Sequence, residues 1–254
     1  MGVTSEKVSS PSSIPRWLAK TRRAWSFVRP PLPGLMANPM PEAVARLCRR
    51  AAPEPDDVLD EMETTARESG FPTIGPDAGA FYRLSARLTA ASSVFEFGSG
   101  FGYSAYWVAP ALPSDGQIVL TEHDPDELDM AREFFARGGY DDRAVFEEGD
   151  AIETVERYDG PFDLVLVDNE DDRYVEAFEA VRGKVAPGGI VLADNVLAAG
   201  EQFGPDAVLD ALDGDEAPAT AHHIADYYER VRADPDFETA LVPVGEGLLA
   251  SVRL

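Results

Sequence analysis

The chain has 254 residues, 44% hydrophobic and 27% charged, and 46 Asp and Glu against 22 Lys and Arg give it a formal charge of −24. That acidity excludes nucleic acid as a partner, because phosphate binding needs clustered cations, and no apolar run approaches the roughly 18 residues of a membrane-spanning helix. The single cysteine, Cys48, excludes an intramolecular disulfide framework and a zinc site of paired cysteines, and fits a reducing, cytoplasmic setting.

Residues 1–40 differ from the rest. Lys7, Arg16, Lys20, Arg22, Arg23 and Arg29 stand there against Glu6 alone, among Ser- and Pro-rich text ("SSPSSIP", "RPPLPG"). This reads as a basic, disordered extension, upstream of a start at Met36 or Met40. "TRRAWSFV" is followed by prolines and an arginine instead of an apolar stretch, which argues against an export signal. From 41 to 254 the text is that of one domain. "PEAVARLCRR" and "DDVLDEMETTARES" predict two acidic-fronted helices, and "FPTIGPDAG" predicts a turn-rich connector. "AFYRLSARL" predicts a helix, with Phe81, Leu84 and Leu88 at helical spacing.

Strands and helices then alternate. The predicted strands are 93–97, 117–122, 144–149, 162–168 and 189–194, with helical patterns in "YSAYWVAPAL", "PDELDMAREFFARGG" and "YVEAFEAVRGKV" between them. Spacings of this kind are those of βαβ units, and near-continuous apolar strands indicate a parallel sheet covered on both faces. After a helix around "HHIADYYERVRADP", the runs "FETALVPVG" and "EGLLASVRL" predict a hairpin whose last strand enters antiparallel. The predicted fold is α/β, a doubly wound, seven-stranded, mostly parallel sheet.

Gly98, Gly100 and Gly102 follow the first strand in "VFEFGSGFGYSA". They permit a sharp turn and a close ligand approach, with helix amides facing the ligand. The pattern also fits a dinucleotide loop, with Glu122 on a ribose. Against that reading, Glu96 stands two residues before the first glycine, where its charge would oppose a pyrophosphate. A sulfonium cofactor with an amino-acid tail has no phosphate and welcomes acids. Asp150, in "EEGDA" at the end of the third strand, lies where an adenine amino group would be read.

"VFEFGSGFGYSAYW", "TEHD", "GDA", "FDLVLVDNEDDRY" and "VAPGGIVLADNVL", in that order, resemble the class I S-adenosylmethionine-dependent O-methyltransferases, in their metal-dependent catechol and caffeoyl-CoA branch. The resemblance implies a Rossmann-like methyltransferase fold that commonly dimerises. It places Glu96 near the methionyl amino group, Gly98 and Gly102 in the loop, Ser104 near the cofactor carboxylate, Glu122 on the ribose and Asp150 at the adenine edge. Asp168, Asp194 and Asn195 match the metal ligands.

Chemistry points at the same trio. Two carboxylates and an amide oxygen at neighbouring strand ends suit Mg2+ or a similar hard cation. The competing reading is that Asp168 and Asp194 cap the helices that follow. The implied acceptor is a small aromatic with adjacent hydroxyls, whose attacking hydroxyl the cation would acidify. Metal-independent methyl transfer, a nicotinamide oxidoreductase and a non-catalytic binding protein stand as alternatives.

The sequence departs from the family at one place. Members carry a lysine three residues after the first metal aspartate, taken as the general base; this chain has Asp171. Asp171 reads as surface in a chain whose lysines are Lys7, Lys20 and Lys184 only, as the base itself, or as an added ligand. An acidic, lysine-poor surface suits concentrated salt, where screening lengths are short. Glu170 and Asp172 read as solvated. His222 and His223 are the one histidine pair, read more simply as the polar start of a helix; Tyr227 and Tyr228 in that helix read as core.

Overall fold

The computed structural model describes residues 40–199 and 202–254, all within one compact unit. The expected extension, Met40 apart, lies outside the described residues. Seven strands form one sheet: β1 (Ser93–Phe97), β2 (Gln117–Glu122), β3 (Ala144–Glu148), β4 (Phe162–Val167), β5 (Val185–Ala193), β6 (Phe237–Val242) and β7 (Leu248–Arg253). Their spatial order is β3-β2-β1-β4-β5-β7-β6. β1 to β5 pair in parallel, and β7 runs antiparallel between β5 and β6. The order reverses beside β1, so the carboxyl ends of β1 and β4 open onto the crevice where doubly wound sheets bind ligands.

The strands bury both faces. Phe95, Phe97, Val165, Val167 and Val191 point to one side, against Phe178 and Val181 of α7 (Tyr174–Val181) and Ile224 and Tyr227 of α9 (Ala219–Arg232). Val94, Leu120, Leu164, Leu166 and Leu192 alternate to the other and are buried too. Leu120 there lies near Ala131 and Phe135 of α5 (Pro125–Gly138), with Gly102 between them.

The helices start where local chemistry directs. Asp56 accepts from Leu59 N to cap α2 (Asp57–Ser69), which ends at Gly70 in the left-handed conformation. α1 (Glu42–Ala51) carries acid first and base last. The connector before α3 (Gly75–Leu88) is shorter than the sequence suggests, because Gly75 and Pro76 already belong to the helix. The helix expected from the spacing of Phe81, Leu84 and Leu88 forms, but the residues that set the spacing do not mark its buried face. Leu84 and Leu88 are 51% and 73% exposed, while Ala78, Gly79, Tyr82 and Ala86 are buried. Small residues let α3 approach closely: a Cβ on Gly79 would stand 2.4 Å from the Trp107 ring of α4 (Tyr103–Val108). α6 (Ala151–Val155) and α8 (Pro205–Asp213) complete the covering layers and are not anticipated from the sequence. Among the described residues no helix is long and apolar enough to cross a membrane.

Candidate active site at the carboxyl ends of β1, β4 and β5

The glycine loop is folded against the acidic run. Gly98 has φ +75°, and a Cβ there would meet Asp168 O at 2.5 Å. Asp168 N in turn donates to Phe97 O at 2.9 Å. Only glycine fits a left-handed residue in such contact. The end of β1 and the end of β4 are thereby locked together, and the glycine loop and the first expected metal ligand share one junction.

On the loop's side, Glu96 is wholly buried. Its Oε1 accepts from Ser104 Oγ, and its Oε2 has no partner. Burial is the main cause that pushes its carboxyl up to about 8; Ser104 works against this, and the Glu122 charge adds to it. Glu122, at the end of β2, accepts from Gly100 N (2.9 Å), His123 N (2.8 Å) and Asp124 N (2.9 Å). It thereby fixes the loop, with lone pairs to spare. Asp150 caps α6 through Ile152 N and Glu153 N and pairs with Arg173 at 2.6 Å. Arg173 therefore neutralises Asp150 and Glu176 and makes no pair with the acids that precede it in "VDNEDDRY".

On the other side the structure brings Asp168, Asp194 and Asn195 together. Asn195 Nδ2 donates to Asp168 Oδ1 at 2.8 Å, and Asn195 N donates to Asp194 Oδ1 at 2.7 Å. Asn195 has φ +57°, a conformation that asparagine tolerates and that recurs at functional sites. Neither aspartate caps a helix: Glu170 and Arg173 occupy the cap positions after β4. Burial first, and then the nearby acids, push both carboxyls up, Asp168 to about 8. Among the described residues no Lys or Arg forms an ion pair with Glu96, Asp168 or Asp194. No three His, Cys, Asp or Glu side chains gather there as a ready-made metal cluster; the trio offers two carboxylates and one amide.

Several contributors are not visible in the sequence. Tyr174 Oη donates to Asp194 O at 3.2 Å, and the Tyr227 ring meets Tyr174 edge-on at 5.6 Å. The β6–β7 turn holds the segment after Asn195: Leu197 N and Ala198 N both donate to Glu246 O. Tyr82 has a buried, unpartnered hydroxyl, and the charges of Asp194, Asp168 and Glu96 act on it. Of the remaining candidates, Glu170 and Asp172 are exposed as expected. Tyr227 and Tyr228 are core, also as expected. His223, read as a polar helix start, lies beside Asp171.

The model of the O-methyltransferase family matches residues 51–254. A catechol O-methyltransferase of Niastella koreensis is 32% identical over 165 residues, 63% of this chain and 75% of that one. A caffeoyl-CoA O-methyltransferase of Populus trichocarpa is 26% identical over 208 residues, 79% of this chain and 83% of the relative. Among solved structures, the O-methyltransferase TomG from Streptomyces achromogenes, in complex with SAM, superposes with a TM-score of 0.73 at 24% identity, over 86% of this chain and 99% of that one. An O-methyltransferase from Bacillus cereus in complex with SAH gives 0.72 at 22% identity, over 84% and 97%. The structures establish the methyltransferase fold, and with the family match over most of its length the chain belongs to the O-methyltransferase family.

Proposed function

We propose that the protein transfers the methyl group of S-adenosylmethionine to one hydroxyl of a small, catechol-like acceptor, assisted by a divalent cation of the Mg2+ kind held by Asp168, Asp194 and Asn195. The observation that carries this reading is the acid cluster. The charge of Glu96 acts on Asp168 and that of Asp168 on Asp194, and among the described residues no Lys or Arg forms an ion pair with them. Burial of unpaired charge is costly, and a sulfonium beside a divalent cation supplies the missing positive charge. The names of the relatives in Niastella and Populus support an aromatic acceptor.

The residues present fit both groups. Glu96 Oε2 is an unpartnered acceptor beneath the glycine loop, suited to the methionyl ammonium. Ser104 stands beside it, Glu122 keeps acceptor capacity for a ribose, and Asp150 flanks the place of the adenine. Asp168 and Asp194 offer hard oxygen ligands, and the Asn195 amide completes them by turning its oxygen inward. When bound, the ion supplies a template for two adjacent oxygens and lowers the pKa of the attacking one. The chain's own part is orientation: a rigid glycine junction, a segment after Asn195 held by the β6–β7 turn, and an acidic wall that favours the cationic donor.

The test is incubation with S-adenosylmethionine and catechol in molar KCl, with Mg2+ or with a chelator, read by mass spectrometry. Methylated catechol that disappears with the chelator is expected. Equal turnover in the chelator contradicts the cation; unfolding in molar KCl contradicts the reading of the acidic, lysine-poor composition as an adaptation to salt.

A further inference from the structure

Asp171 stands where the family resemblance calls for lysine, and among the described residues no lysine replaces it from elsewhere. Lys184 is tied to Val155 O at 2.7 Å, and Lys7 and Lys20 lie outside the described residues. What meets Asp171 is a histidine from a distant part of the chain. His223 Nδ1 lies 3.8 Å from Asp171 Oδ2. Both atoms are shielded from solvent and neither has another partner, although the side chains are 39% and 35% exposed. The exposed area of the His223 side chain therefore lies away from Nδ1. The separation is longer than a hydrogen bond; catalytic hydrogen bonds commonly tighten only when substrate is bound.

The placement puts this pair at the turn that leaves the end of β4. Asp171 opens the turn that follows β4, three residues after Asp168, and α9 packs against that turn. His223 and Tyr227 are one helical turn apart on the same face of α9. Tyr227 meets Tyr174, whose hydroxyl holds the Asp194 carbonyl.

We propose that Asp171 and His223 form the proton-accepting pair of the transfer, with His223 Nε2 as the base and Asp171 as the residue that orients it, in place of the family's lysine. This rests on the methyl-transfer reading above. Asp171 holds the proton on Nδ1 and leaves Nε2 as the acceptor. The acceptor's O–H proton passes to Nε2 and the O–H electron pair stays on oxygen. That oxygen forms a bond to the methyl carbon as the carbon–sulfur bond breaks, with its electrons going to sulfur to leave a neutral thioether.

The other charged groups on elements packed against α9 are engaged elsewhere or exposed. Arg173 is turned to Asp150 and Glu176, Arg182 and Arg230 to Asp234, and Glu179 to Arg230. Asp206, Asp210 and Asp213 of α8 and Glu238 of β6 are exposed.

The chain has three histidines, so imidazole nitrogen-15 spectra are readily assigned with a His223→Gln variant. The expected result is His223 protonated on Nδ1, with and without S-adenosylmethionine, and loss of that preference in Asp171→Asn. With catechol and Mg2+, His223→Gln lowers kcat by about 10²- to 10⁴-fold and leaves S-adenosylmethionine affinity unchanged. Added imidazole restores part of the rate to His223→Gly. The double variant Asp171→Lys, His223→Gln recovers turnover through the reinstated lysine. An unaltered tautomer in Asp171→Asn overturns the pair. Undiminished kcat in His223→Gln overturns the base while methyl transfer stands. A wild type that binds S-adenosylmethionine and methylates no catechol overturns the reading on which both rest.

Discussion

Asp234 and Asp194 are the same residue type at nearly the same burial, 3% and 1% exposed, in opposite surroundings. Asp234, after α9, accepts from Arg182 Nε (2.8 Å) and Nη2 (2.9 Å), Arg230 Nη1 (3.0 Å) and Asp236 N (3.1 Å). The Arg182 hydrogen bonds lead the causes that hold its carboxyl down at about 2. Asp194 accepts one backbone hydrogen bond, sits beside Asp168, and is pushed well up by burial. The chain completes the first carboxylate with its own cations. It leaves the second incomplete, and that incompleteness is where a ligand's charge belongs. A buried acid with its arginines is architecture; a buried acid without them marks the site.

The strongest way to break this contrast is Asp194→Asn. Methyl transfer should fall by about 10³-fold, the several kcal/mol that a positioned cation supplies, and cation binding should vanish. The same variant should melt higher than wild type when no cation is present. The sign follows from the raised carboxyl: its ionised form destabilises the folded state above the unfolded value near 4, and an amide has no charge to bury. Thermal melts with and without Mg2+ check both halves.

Gly98→Ala comes next. A methyl group 2.5 Å from Asp168 O at φ +75° forces the loop off β4. A stability loss of roughly 2–4 kcal/mol is expected, together with weaker S-adenosylmethionine binding by calorimetry. Asp234→Asn should cost on the order of 2 kcal/mol at neutral pH. Because the folded value lies below the unfolded one, that contribution is present above about pH 4 and is lost as pH falls towards 2. Urea unfolding at several pH values should show wild type and variant converging in acid. The smallest effect is Tyr82→Phe: its hydroxyl has no partner, so stability without ligand should change by less than about 1 kcal/mol.

How much of this was legible in the sequence differs from element to element. The strands were, because apolar runs such as "FDLVLV" between glycines and helical patterns leave few alternatives, and each was placed within a few residues. The glycine loop and the acids at the ends of β4 and β5 were legible as positions, since a doubly wound sheet brings those ends to one crevice. The face of α3 was not. Phe81, Leu84 and Leu88 have helical spacing, but hydrophobicity ranks faces by size, while the close approach to Trp107 selects Ala78, Gly79 and Ala86. Arg173 follows four acids in "VDNEDDRY", yet it pairs with Asp150 at the start of α6, a contact that sequence adjacency does not show. The meeting of Asp171 and His223 depends on how α9 docks against the turn after β4, a tertiary fact that local pattern does not carry.

The most direct measurement is a calorimetric titration of Mg2+ into the protein saturated with S-adenosylmethionine, in molar KCl, with Asp194→Asn and Asp234→Asn beside it. One saturable site is expected in wild type and in Asp234→Asn, and none in Asp194→Asn. Equal binding in all three, or none in wild type, would contradict the assignment of the uncompensated carboxylates to a cation.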